Sequence, residues 1–472
     1  MSRPLLLGLD IGTTRVKAVV VDERGAEVAA ADRTTPWRRT PDGGAELEAG
    51  VLTTMVGDVA GRAAARAVAG TGGTVVAVGV TGMGEAGVLA GPRDEPLAPV
   101  RAWYDQRADV DTVRAELGET AFHQAVGMRL DAQPSLPKLV RLRADHPAAA
   151  AATRFYSVPE WAVRGLGARP VSELSLASRT GLLDVVTARP WDGARVLLGA
   201  DLLSDLVVAG DDVGTAGDRD REVPPELRGA TLTVAGHDHQ AAALAAGAAS
   251  DGTLFDSLGT AEALLRFAAG PLERAAVGEL AAAHLTAGRT VIPGHWCVNQ
   301  GLTSGFVLER VAAALGATGR EERAELGRRA AELLDDPAAV AGVRVEVLGE
   351  DQVRLHLLDD SQGGAGPAAI WAATVRAVVD SGREGLRRVA DVIGPHRRVV
   401  AAGGWLANPA VLAAKQRQFP GLVTTGVAEA GAAGAAYLAG VAHGLLPRPD
   451  ASLLDSTAPP WRNPHPLREA ST

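Results

Sequence analysis

Two short segments of the chain place a carboxylate, a glycine and threonines where one apolar strand turns into the next. In residues 4–22, a strand ends at Asp10, the turn Gly12-Thr13-Thr14 follows, and a second strand leaves it. Gly12 lets the backbone bend and an anion approach, while N–H groups and threonine hydroxyls can donate to phosphate oxygens. Asp10 can hold Mg²⁺ directly or through water. The alternative is an ordinary hairpin with a Gly-Thr turn.

A second copy of this pattern opens the other half of the chain. Residues 252–267 contain an apolar strand, Asp256, the pair Gly259-Thr260 and another apolar strand. One match could arise by chance in a chain with 56 glycines, but two at the starts of two halves favour a duplicated domain. The repeat predicts that both hairpins hold nucleotide phosphates.

Length and charge limit the classes of protein to which the chain can belong. At 472 residues it exceeds the usual size of one hydrophobic core, so two domains are expected, residues 1–230 and 231–472, divided after Pro224-Pro225. The net charge of −9 argues against a non-specific nucleic-acid binder or a protein that binds anionic membranes. We expect a small-molecule substrate, no nucleic-acid partner and no membrane partner, and a homodimer is left open.

The cysteine count and the N-terminal sequence bear on location. A single cysteine, Cys297, excludes an intrachain disulfide and a cysteine-based zinc cluster, and it favours a reducing compartment. The N-terminal strand is interrupted by Asp10 and shows no signal-peptide cleavage site. A cytoplasmic location is therefore expected.

The apolar pattern predicts an α/β chain in which hairpins precede helices, unlike an alternating βαβ fold. A proline-rich tail from Leu445 onward should be irregular. The predicted strands are 4–10, 15–22, 26–31, 74–81, 231–236 and 397–402, and the predicted helices are 49–69, 239–249, 304–316, 320–334, 367–391 and 428–442.

Residues 82–87, GMGEAG, match the G-x-G-x-x-G fingerprint of dinucleotide-binding sites and follow an apolar run. A true fingerprint opens a helix. Here Val88-Leu89-Ala90 leads into Gly91-Pro92, which predicts another strand and a turn. The dinucleotide interpretation is therefore disfavoured.

Nine segments, taken in order from Leu7 to about Gly444, resemble the FGGY carbohydrate kinases, a family of ATP-dependent sugar and polyol kinases. No single segment is decisive, but the ordered set is highly specific. The resemblance implies an α/β fold of two actin-like (ribonuclease H-like) domains with an interdomain cleft. The segments are GLDIGTTRVKAVVVD, AVGVTGMGEAGVL, AWYDQR, SLPKLVRL, SELSLASRTGLLD, VAGHDHQAAALAAG, DSLGTAE, AAGGWLANP and AEAGAAGAAYLAG.

The resemblance places the general base at Asp238. A carboxylate there would take the proton of the acceptor hydroxyl as its bond to phosphorus forms, and an ordinary Asp is ionised at pH 7. Asp238 could instead cap the following Ala-rich helix, and the two roles can coexist. A metal site at His237-Asp238-His239 is disfavoured because no third imidazole or thiol lies nearby in sequence.

The substrate positions implied by the resemblance match no single relative. Glu85 is the residue type of glycerol kinases rather than the His of xylulokinases, yet Gly84 replaces the Arg that glycerol kinases place before it. Trp103 would cover the apolar face of a carbon chain, and Asp105 would bind hydroxyls. The alternative is a core Trp with a solvated Asp. The implied substrate-binding residues are Met83, Glu85, Trp103, Asp105 and His239.

For the nucleotide, the resemblance implies ATP with Mg²⁺ at Asp10. Ala261 stands where the family often has Ser, so one hydroxyl contact is missing. The implied ATP-binding residues are Gly12, Thr13, Thr14, Lys17, Gly259 and Thr260 at the phosphates and Gly403, Gly404 and Asn408 at adenosine.

These expectations together predict an ATP-dependent kinase that phosphorylates a hydroxyl of a small sugar, with a ketopentose such as xylulose as the first choice. A glycerol or polyol kinase of the same family is the alternative. An actin-like nucleotide-dependent regulator without sugar kinase activity is the alternative from a different class, and a pure switch would need no polyol-binding groups.

Overall fold

The computed structural model describes residues 2–340, 343–349, 352–357, 366–450 and 461, and it divides into two compact units. Unit 1 comprises Met1–Asp251, Ala268–Cys297 and Val427–Thr472, and unit 2 comprises Gly252–Phe267 and Val298–Gly426. Of the tail that we predicted to be irregular, residues 445–450 form no helix or strand, while 451–460 and 462–472 lie outside the described residues.

The strands agree with the predicted β-rich openings of both halves. In chain order they are β1 (Pro4–Ile11), β2 (Arg15–Asp22), β3 (Glu27–Thr34), β4 (Arg38–Arg39), β5 (Ala45–Leu47), β6 (Thr74–Gly82), β7 (Gly87–Ala90), β8 (Val100–Arg101), β9 (Arg154–Ser157), β10 (Val171–Glu173), β11 (Leu183–Asp184), β12 (Arg189–Pro190), β13 (Asp205–Val207), β14 (Gly214–Thr215), β15 (Thr231–His237), β16 (Thr253–Leu258), β17 (Glu262–Ala269), β18 (Thr286–Arg289), β19 (His295–Leu302), β20 (Val343–Gly349), β21 (Gln352–Leu357), β22 (Arg398–Ala402) and β23 (Val423–Thr424).

The helices are α1 (Ala49–Thr71), α2 (Val110–Leu117), α3 (Glu119–Val126), α4 (Ser135–Asp145), α5 (Val158–Leu166), α6 (Leu174–Ala177), α7 (Asp192–Leu198), α8 (Asp238–Ala245), α9 (Arg274–Ala282), α10 (Ser304–Ala314), α11 (Arg320–Ala331), α12 (Pro337–Val340), α13 (Pro367–Ser381), α14 (Arg383–Ile393), α15 (Pro409–Gln418) and α16 (Ala430–Ala442). Short 3-10 turns occupy Pro147–Ala151, Asp218–Asp220, Pro225–Leu227 and Gly404–Ala407.

The main sheet of unit 1 has the order β14-β15-β6-β1-β2-β3. Strand β1 pairs antiparallel with β2 and parallel with β6, and β6 pairs parallel with β15. Successive side chains of a strand point to opposite faces. On β1, Leu5 and Leu7 accordingly pack in the cluster that contains α1, whereas Leu6 packs against Ala432 and Ala436 of α16.

Two glycines allow α16 to lie flat on this sheet. Gly8 and Gly79 are partners in the register of β1 and β6. A Cβ at Gly8 would overlap the carbonyl oxygen of Ala432, and one at Gly79 would overlap that of Ala435. A helix of small residues can therefore approach the strands at backbone distance, which brings the first turn of α16 to the end of β1.

Unit 2 contains strands arranged in the same local order. Strand β16 pairs antiparallel with β17 and parallel with β22, and β22 pairs parallel with β23. The run β17-β16-β22-β23 thus repeats the pattern β2-β1-β6-β15 of unit 1. Both runs begin with a hairpin that contains a Gly-Thr pair, which supports the duplication inferred from the sequence.

The predicted boundary at residue 230 differs from the division into units. Strand β15 and helix α8 follow that boundary in the chain, yet β15 pairs with β6 of unit 1. Helix α16, near the end of the chain, also packs in unit 1. Pairing between strands so distant in sequence leaves no local signal that a composition shift could reveal.

Two predicted helices differ most from the structure, and a glycine lies at or just beyond each break. The helix predicted over 239–249 is α8, which stops at Ala245, and Gly247 follows with a φ of 64°. The helix predicted over 367–391 is two helices, α13 and α14, which meet at Gly382. Within the described ranges, no helix has the length and apolarity needed to cross a bilayer.

Candidate functional site

Asp238 stands where β15 passes into α8, as the first residue of the helix. Its side chain is 22% exposed, and its Oδ1 accepts the N–H of His239 at 2.7 Å and lies 3.2 Å from Nδ1 of His237. Burial would raise the pKa of Asp238, but His239, His237 and Arg179 outweigh it and hold this pKa below its ordinary value. Asp238 is therefore an ionised carboxylate that reaches solvent.

Burial shifts the pKa of the neighbouring imidazole, His237, in the opposite direction. It lowers the pKa of His237 to about 3, despite the opposing charge of Asp238. His237 is therefore neutral at pH 7, and its ring lies 5.6 Å from the His239 ring. His237 is the N-cap residue of α8 and makes no side-chain capping hydrogen bond, while Asp238 lies in the first turn and accepts only the N–H of His239.

A buried network fixes the end of β15. Glu160 accepts the N–H of Glu173 at 2.7 Å, and Glu173 accepts the Ser175 hydroxyl at 2.5 Å. Ser175 Oγ in turn accepts the N–H of His237 at 3.0 Å. Because these groups are buried and joined in series, the backbone that carries Asp238 has little freedom to move.

This network predicts a particular dependence of stability on pH. Burial raises the pKa of Glu173 to about 7, above its unfolded value, so the folded state binds its proton more readily. That stabilisation is complete below the unfolded pKa and is lost as pH rises through 7. We expect the unfolding free energy of the wild type to fall between pH 5 and pH 8 by about 1–3 kcal/mol more than that of Glu173→Gln.

Urea titrations at a series of pH values measure this difference. Glu160, whose pKa burial also raises to about 7, is present in both proteins, and the charge of Glu173 is the smallest of the causes of its shift, so most of the Glu160 contribution cancels. The exposed substitution Glu116→Gln is the control and should leave the pH profile unchanged. Parallel profiles for the wild type and Glu173→Gln would contradict the assignment.

Asp10 lies at the end of β1 beside the first turn of α16. A Cβ on Gly431 would come within 2.5 Å of Asp10 Oδ2, and Oδ1 is a buried atom with no hydrogen-bond partner among the described residues. Burial, followed by the charge of Asp238, raises the pKa of Asp10 to about 7. Lys17 and Glu429 also act on Asp10 and pair with each other at 2.7 Å.

The carbonyl groups of the turn Gly12-Thr13-Thr14 accept hydrogen bonds from two residues that follow β3. Thr35 donates to the carbonyl of Gly12 through its hydroxyl and to that of Thr14 through its backbone N–H, each at 2.9 Å. Trp37 Nε1 donates to the Thr13 carbonyl at 2.8 Å. Thr14 itself is exposed.

One hydrogen bond links this turn to Trp103, one of the predicted substrate-binding residues. Trp103 Nε1 donates to the hydroxyl oxygen of Thr13 at 2.8 Å. An indole N–H can only donate, so the proton of the Thr13 hydroxyl is directed at some other acceptor. The geometry suits a hydroxyl that donates to a phosphate oxygen while Trp103 holds its oxygen.

Loss of this bond should weaken ATP binding. We expect Trp103→Phe, which keeps an aromatic ring, to raise the KM for ATP by about 3- to 10-fold, the worth of one neutral hydrogen bond. Thr13→Val should raise it by at least as much. In the Thr13→Val background Trp103→Phe should add little, because the acceptor has already gone.

Steady-state kinetics of the two single variants and the double variant test this coupling. Trp191→Phe changes an indole in a separate core cluster of unit 1 and serves as the control. If the effects of Trp103→Phe and Thr13→Val on the KM for ATP were additive, the coupling between the two residues would be contradicted.

Glu85 and Met83 lie in the turn after β6. Met83 is buried, and its N–H donates to the Ile11 carbonyl at 3.1 Å. Glu85 has a φ of 58°, which is uncommon for a residue with a side chain. Its carboxylate pairs with Arg179, and Gln133 Nε2 donates to the same oxygen, Oε1, at 3.1 Å.

Asp105 is committed to contacts within unit 1. Its Oδ2 accepts the N–H of Ala45 at 2.9 Å and Nη2 of Arg107 at 2.7 Å, and its Oδ1 accepts the backbone N–H of Arg107 at 2.9 Å. The Asp105 side chain has no exposed surface. These contacts hold the loop before α2 in place and leave little capacity for a substrate hydroxyl.

In unit 2, Gly259 and Thr260 form the turn between β16 and β17. Gly259 N–H donates to the Ala261 carbonyl at 2.9 Å, and Thr260 is exposed. The first turn of α10 packs against this turn, because a Cβ on Gly305 would overlap the carbonyl oxygens of both residues. The second hairpin is thus an exposed turn backed by a helix.

The predicted adenosine residues follow β22. Gly403 has a φ of 118° and packs on the backbone of Leu258, where a Cβ would overlap the carbonyl, whereas Gly404 is exposed with open space around it. Asn408 is buried and caps α15: its Oδ1 accepts the N–H of Ala410 at 3.1 Å, and its Nδ2 donates to the Arg323 carbonyl at 2.8 Å. Little of the Asn408 amide is left for adenine.

The described part of unit 1 therefore brings together most of the predicted chemistry. The charges of Asp238, Lys17 and Glu429 all act on the carboxylate of Asp10. Among the residues that the structure describes, no group of three or more His, Cys, Asp or Glu side chains could by itself hold a metal ion.

Sequence reasoning missed several residues that contact the predicted ones. Arg179 lies in the segment SELSLASRTGLLD. It is the one cation among mostly small and apolar residues there, and this is the signal that could have drawn attention to it. Glu429, similarly, is the acid that precedes the Ala-rich helix. Gln133 and Trp37 carry no such signal.

Comparison with known proteins identifies relatives of this chain. A sequence model of the FGGY family of carbohydrate kinases, N-terminal domain, matches residues 5–245. A glycerol kinase from Paracidovorax citrulli (strain AAC00-1) is 33% identical over 198 residues, which are 40% of this chain and 38% of that protein. The chain thus matches about two fifths of the length of this curated relative.

Solved structures are similar over nearly the whole chain. A xylulose kinase from Rhodospirillum rubrum has a TM-score of 0.78 at 22% identity, covering 93% of this chain and 90% of that one. A gluconate kinase from Lactobacillus acidophilus has a TM-score of 0.82 at 17% identity, covering 96% and 92%. At these identities the likeness shows the fold, and it confirms the predicted α/β class with two actin-like (ribonuclease H-like) domains.

Proposed function

Because the chain belongs to the FGGY family of carbohydrate kinases, we propose that it transfers the γ-phosphoryl group of ATP to a hydroxyl of a small sugar or polyol. The observation that carries this proposal is the environment of Asp238. An ionised, partly exposed carboxylate stands at a rigid strand end, beside a second carboxylate whose pKa is raised to about 7. Two carboxylates with different protonation behaviour can divide the work of base and metal ligand.

Asp238 would act as the general base. Its depressed pKa keeps it ionised at neutral pH, so it can accept a hydrogen bond from the acceptor hydroxyl and take its proton as the bond to phosphorus forms. His237 stays neutral and buried and would not compete for that proton. His239, partly exposed beside Asp238, is proposed to contact the substrate.

Asp10 would hold Mg²⁺. Its buried, unpartnered Oδ1 and the nearby charge of Asp238 fit a cation with oxygen ligands. Magnesium in kinases is usually bound by one or two carboxylates, with water and phosphate oxygens completing the shell, so three protein ligands are not needed. When bound, the ion would neutralise charge on the phosphates.

In unit 1, the turn at Gly12-Thr13-Thr14 would bind phosphate, with Lys17 exchanging Glu429 for a phosphate oxygen. In unit 2, the turn at Gly259-Thr260 is likewise proposed as a phosphate-binding turn. Gly403 and Gly404 would lie against adenosine. Asn408 is proposed to act chiefly by capping α15, because Ala410, Val411 and Trp371 already donate to its Oδ1.

A ketopentose such as xylulose is the first choice of substrate, and glycerol or another polyol is the alternative. Support for the first is the fold likeness to a xylulose kinase, and support for the second is the sequence likeness to a glycerol kinase. Cys297, the single cysteine, is buried and fits a reducing compartment, so a cytoplasmic location is part of this proposal.

A coupled ADP-release assay tests the function. The purified protein is incubated with MgATP and, one at a time, with pentuloses, hexuloses, glycerol and tetritols. We expect sugar-dependent ADP release with at least one of them. If the protein binds ATP but the rate of ADP release is the same with and without each candidate substrate, the result would instead support the actin-like regulator.

A further inference from the structure

An ion pair between Glu85 and Arg179 is buried beside the proposed base. The Glu85 side chain is 4% exposed and the Arg179 side chain 8%. Nη2 of Arg179 and Nε2 of Gln133 both donate to Glu85 Oε1. In the described part of the chain, Glu85 Oε2 makes no hydrogen bond, and the buried Nε of Arg179 has no partner.

Arg179 fills the space beside residue 84. A Cβ on Gly84 would lie 3.0 Å from Cδ2 of His237 and 3.1 Å from Cγ of Arg179. A side chain at 84 would therefore meet Arg179, and the guanidinium that pairs with Glu85 comes from the turn after α6 instead of the adjacent position. Arg179 is therefore near His237, the residue before the proposed base Asp238. Its positive charge contributes to the low pKa of Asp238.

The backbone conformation at Glu85 fixes the position of its carboxylate. Its φ of 58° is unfavourable for a residue with a Cβ, and such conformations persist where the surroundings impose them. The Ser135 hydroxyl donates to the Glu85 carbonyl at 3.0 Å, and the Ala86 N–H donates to the Gly84 carbonyl at 2.7 Å. A strained turn that places a charge in a buried pair is better explained by recognition than by packing alone.

The charges around the pair come from several elements. Lys138 of α4 is buried and donates to the carbonyl of Ala132 at 2.7 Å, and the charge of Glu85 acts on it together with those of Asp131 and Asp105. Arg179 and Glu85 cancel each other directly. A ligand at this pair therefore meets one acceptor oxygen and one cationic donor, without a net charge from the pair itself.

We propose that Arg179 is a specificity-determining residue, and that it forms with Glu85 a charge-neutral donor–acceptor pair that binds neighbouring hydroxyls of an uncharged sugar or polyol and disfavours a sugar acid. A hydroxyl can donate to Glu85 and accept from Arg179 at once. A carboxylate would be repelled by Glu85, and the positive charge of the guanidinium that would attract it is already neutralised by Glu85. This inference rests on the proposed function and narrows its substrate class.

The test compares uncharged substrates with an acid. Wild type, Arg179→Lys and Glu85→Gln are assayed with MgATP and xylulose, glycerol or gluconate. Arg179→Lys keeps the charge but loses the planar fork, so we expect the KM for the uncharged substrate to rise at least about tenfold with a smaller change in kcat. Glu85→Gln removes the negative charge that neutralises the guanidinium, so the ratio of kcat/KM for gluconate to that for the uncharged substrate should rise at least about tenfold.

Arg164→Lys is the matched control. Arg164 donates to Asp94 from Nε at 2.9 Å and from Nη2 at 2.6 Å, and this pair is also buried, with side chains 13% and 8% exposed. The same exchange there should leave both KM values and the substrate ratio unchanged. Thermal unfolding of each variant reports whether it is folded, and should Glu85→Gln not fold, the KM of Arg179→Lys decides the question.

The outcomes separate this inference from the proposed function. If the wild type phosphorylates no substrate of the panel, the proposed function fails. A wild type that phosphorylates an uncharged substrate while Arg179→Lys keeps its KM and Glu85→Gln keeps its substrate ratio would overturn the inference alone. So would a wild type that prefers gluconate, although the kinase activity would then stand.

Discussion

Replacing Asp238 by asparagine is expected to lower kcat by about 10²- to 10⁴-fold, the usual contribution of a positioned base. The amide has nearly the same shape and can still accept the His239 N–H, but it cannot take a proton. Without Mg²⁺, ATP should bind with an unchanged Kd, because Asp238 acts on the acceptor hydroxyl and on the cation at Asp10 and not on the nucleotide itself. Coupled ADP-release kinetics and calorimetric titration with ATP measure the two quantities.

Asp192→Asn is the control for this substitution. Asp192 is likewise the first residue of a helix, α7, and its side chain is 85% exposed. The exchange should leave kcat unchanged. If Asp238→Asn kept a kcat within about threefold of the wild type, Asp238 would not be the base.

The second large effect is expected in unit 2, where Lys415 is buried between two carboxylates. Lys415 Nζ lies 2.8 Å from Asp256 Oδ2 and also donates to Glu262, and all three side chains are at most 2% exposed. Burial and the charge of Glu262 raise the pKa of Asp256 to about 7. Asp256 on β16 and Glu262 on β17 flank the Gly259-Thr260 turn, so the ion triad fixes the base of this hairpin.

Lys415→Met should destabilise the protein by about 3–5 kcal/mol, because it leaves two buried carboxylates without a cation. The triple variant Lys415→Met, Asp256→Asn, Glu262→Gln removes the charges together and should recover much of the loss. Urea unfolding followed by circular dichroism measures both. A protein of two units can unfold in more than one transition, so the loss is read from the transition that the substitution shifts.

Arg417→Met is the matched control on the same helix. Arg417 pairs with Asp335 at 2.7 Å, but these side chains are 42% and 74% exposed. An exposed pair contributes about 1 kcal/mol or less, so the control should be nearly neutral. A Lys415→Met protein as stable as Arg417→Met would show that the triad does not hold the hairpin.

The local elements that carry the chemistry could be predicted from the sequence. The hairpins around Gly12 and Gly259 show as apolar runs broken by a carboxylate and a Gly-Thr pair, and the structure has strands at both places. The strand interpretation of Val88-Leu89-Ala90, which disfavoured a dinucleotide fingerprint, is confirmed by β7. Patterns of this kind are local, so a single sequence contains them.

Contacts between distant segments could not be predicted in the same way. Glu85 and Arg179 are 94 positions apart, and nothing in either segment names the other as its partner. Asp105 and Asn408 illustrate the converse: their side-chain types fit substrate and adenine, yet the fold uses them to hold a loop and cap a helix. The type of a side chain indicates what it can bind, whereas only its neighbours decide how much of that capacity is left.

The central claim is that Asp238 activates a hydroxyl for attack on ATP, and ³¹P NMR of the reaction mixture tests it most directly. With the wild type, MgATP and the substrate found in the ADP-release screen, we predict a growing phosphate monoester signal that matches the loss of the γ-phosphate signal, and almost none with Asp238→Asn. Equal monoester formation by both proteins, or conversion of ATP to inorganic phosphate with no monoester, would contradict the account.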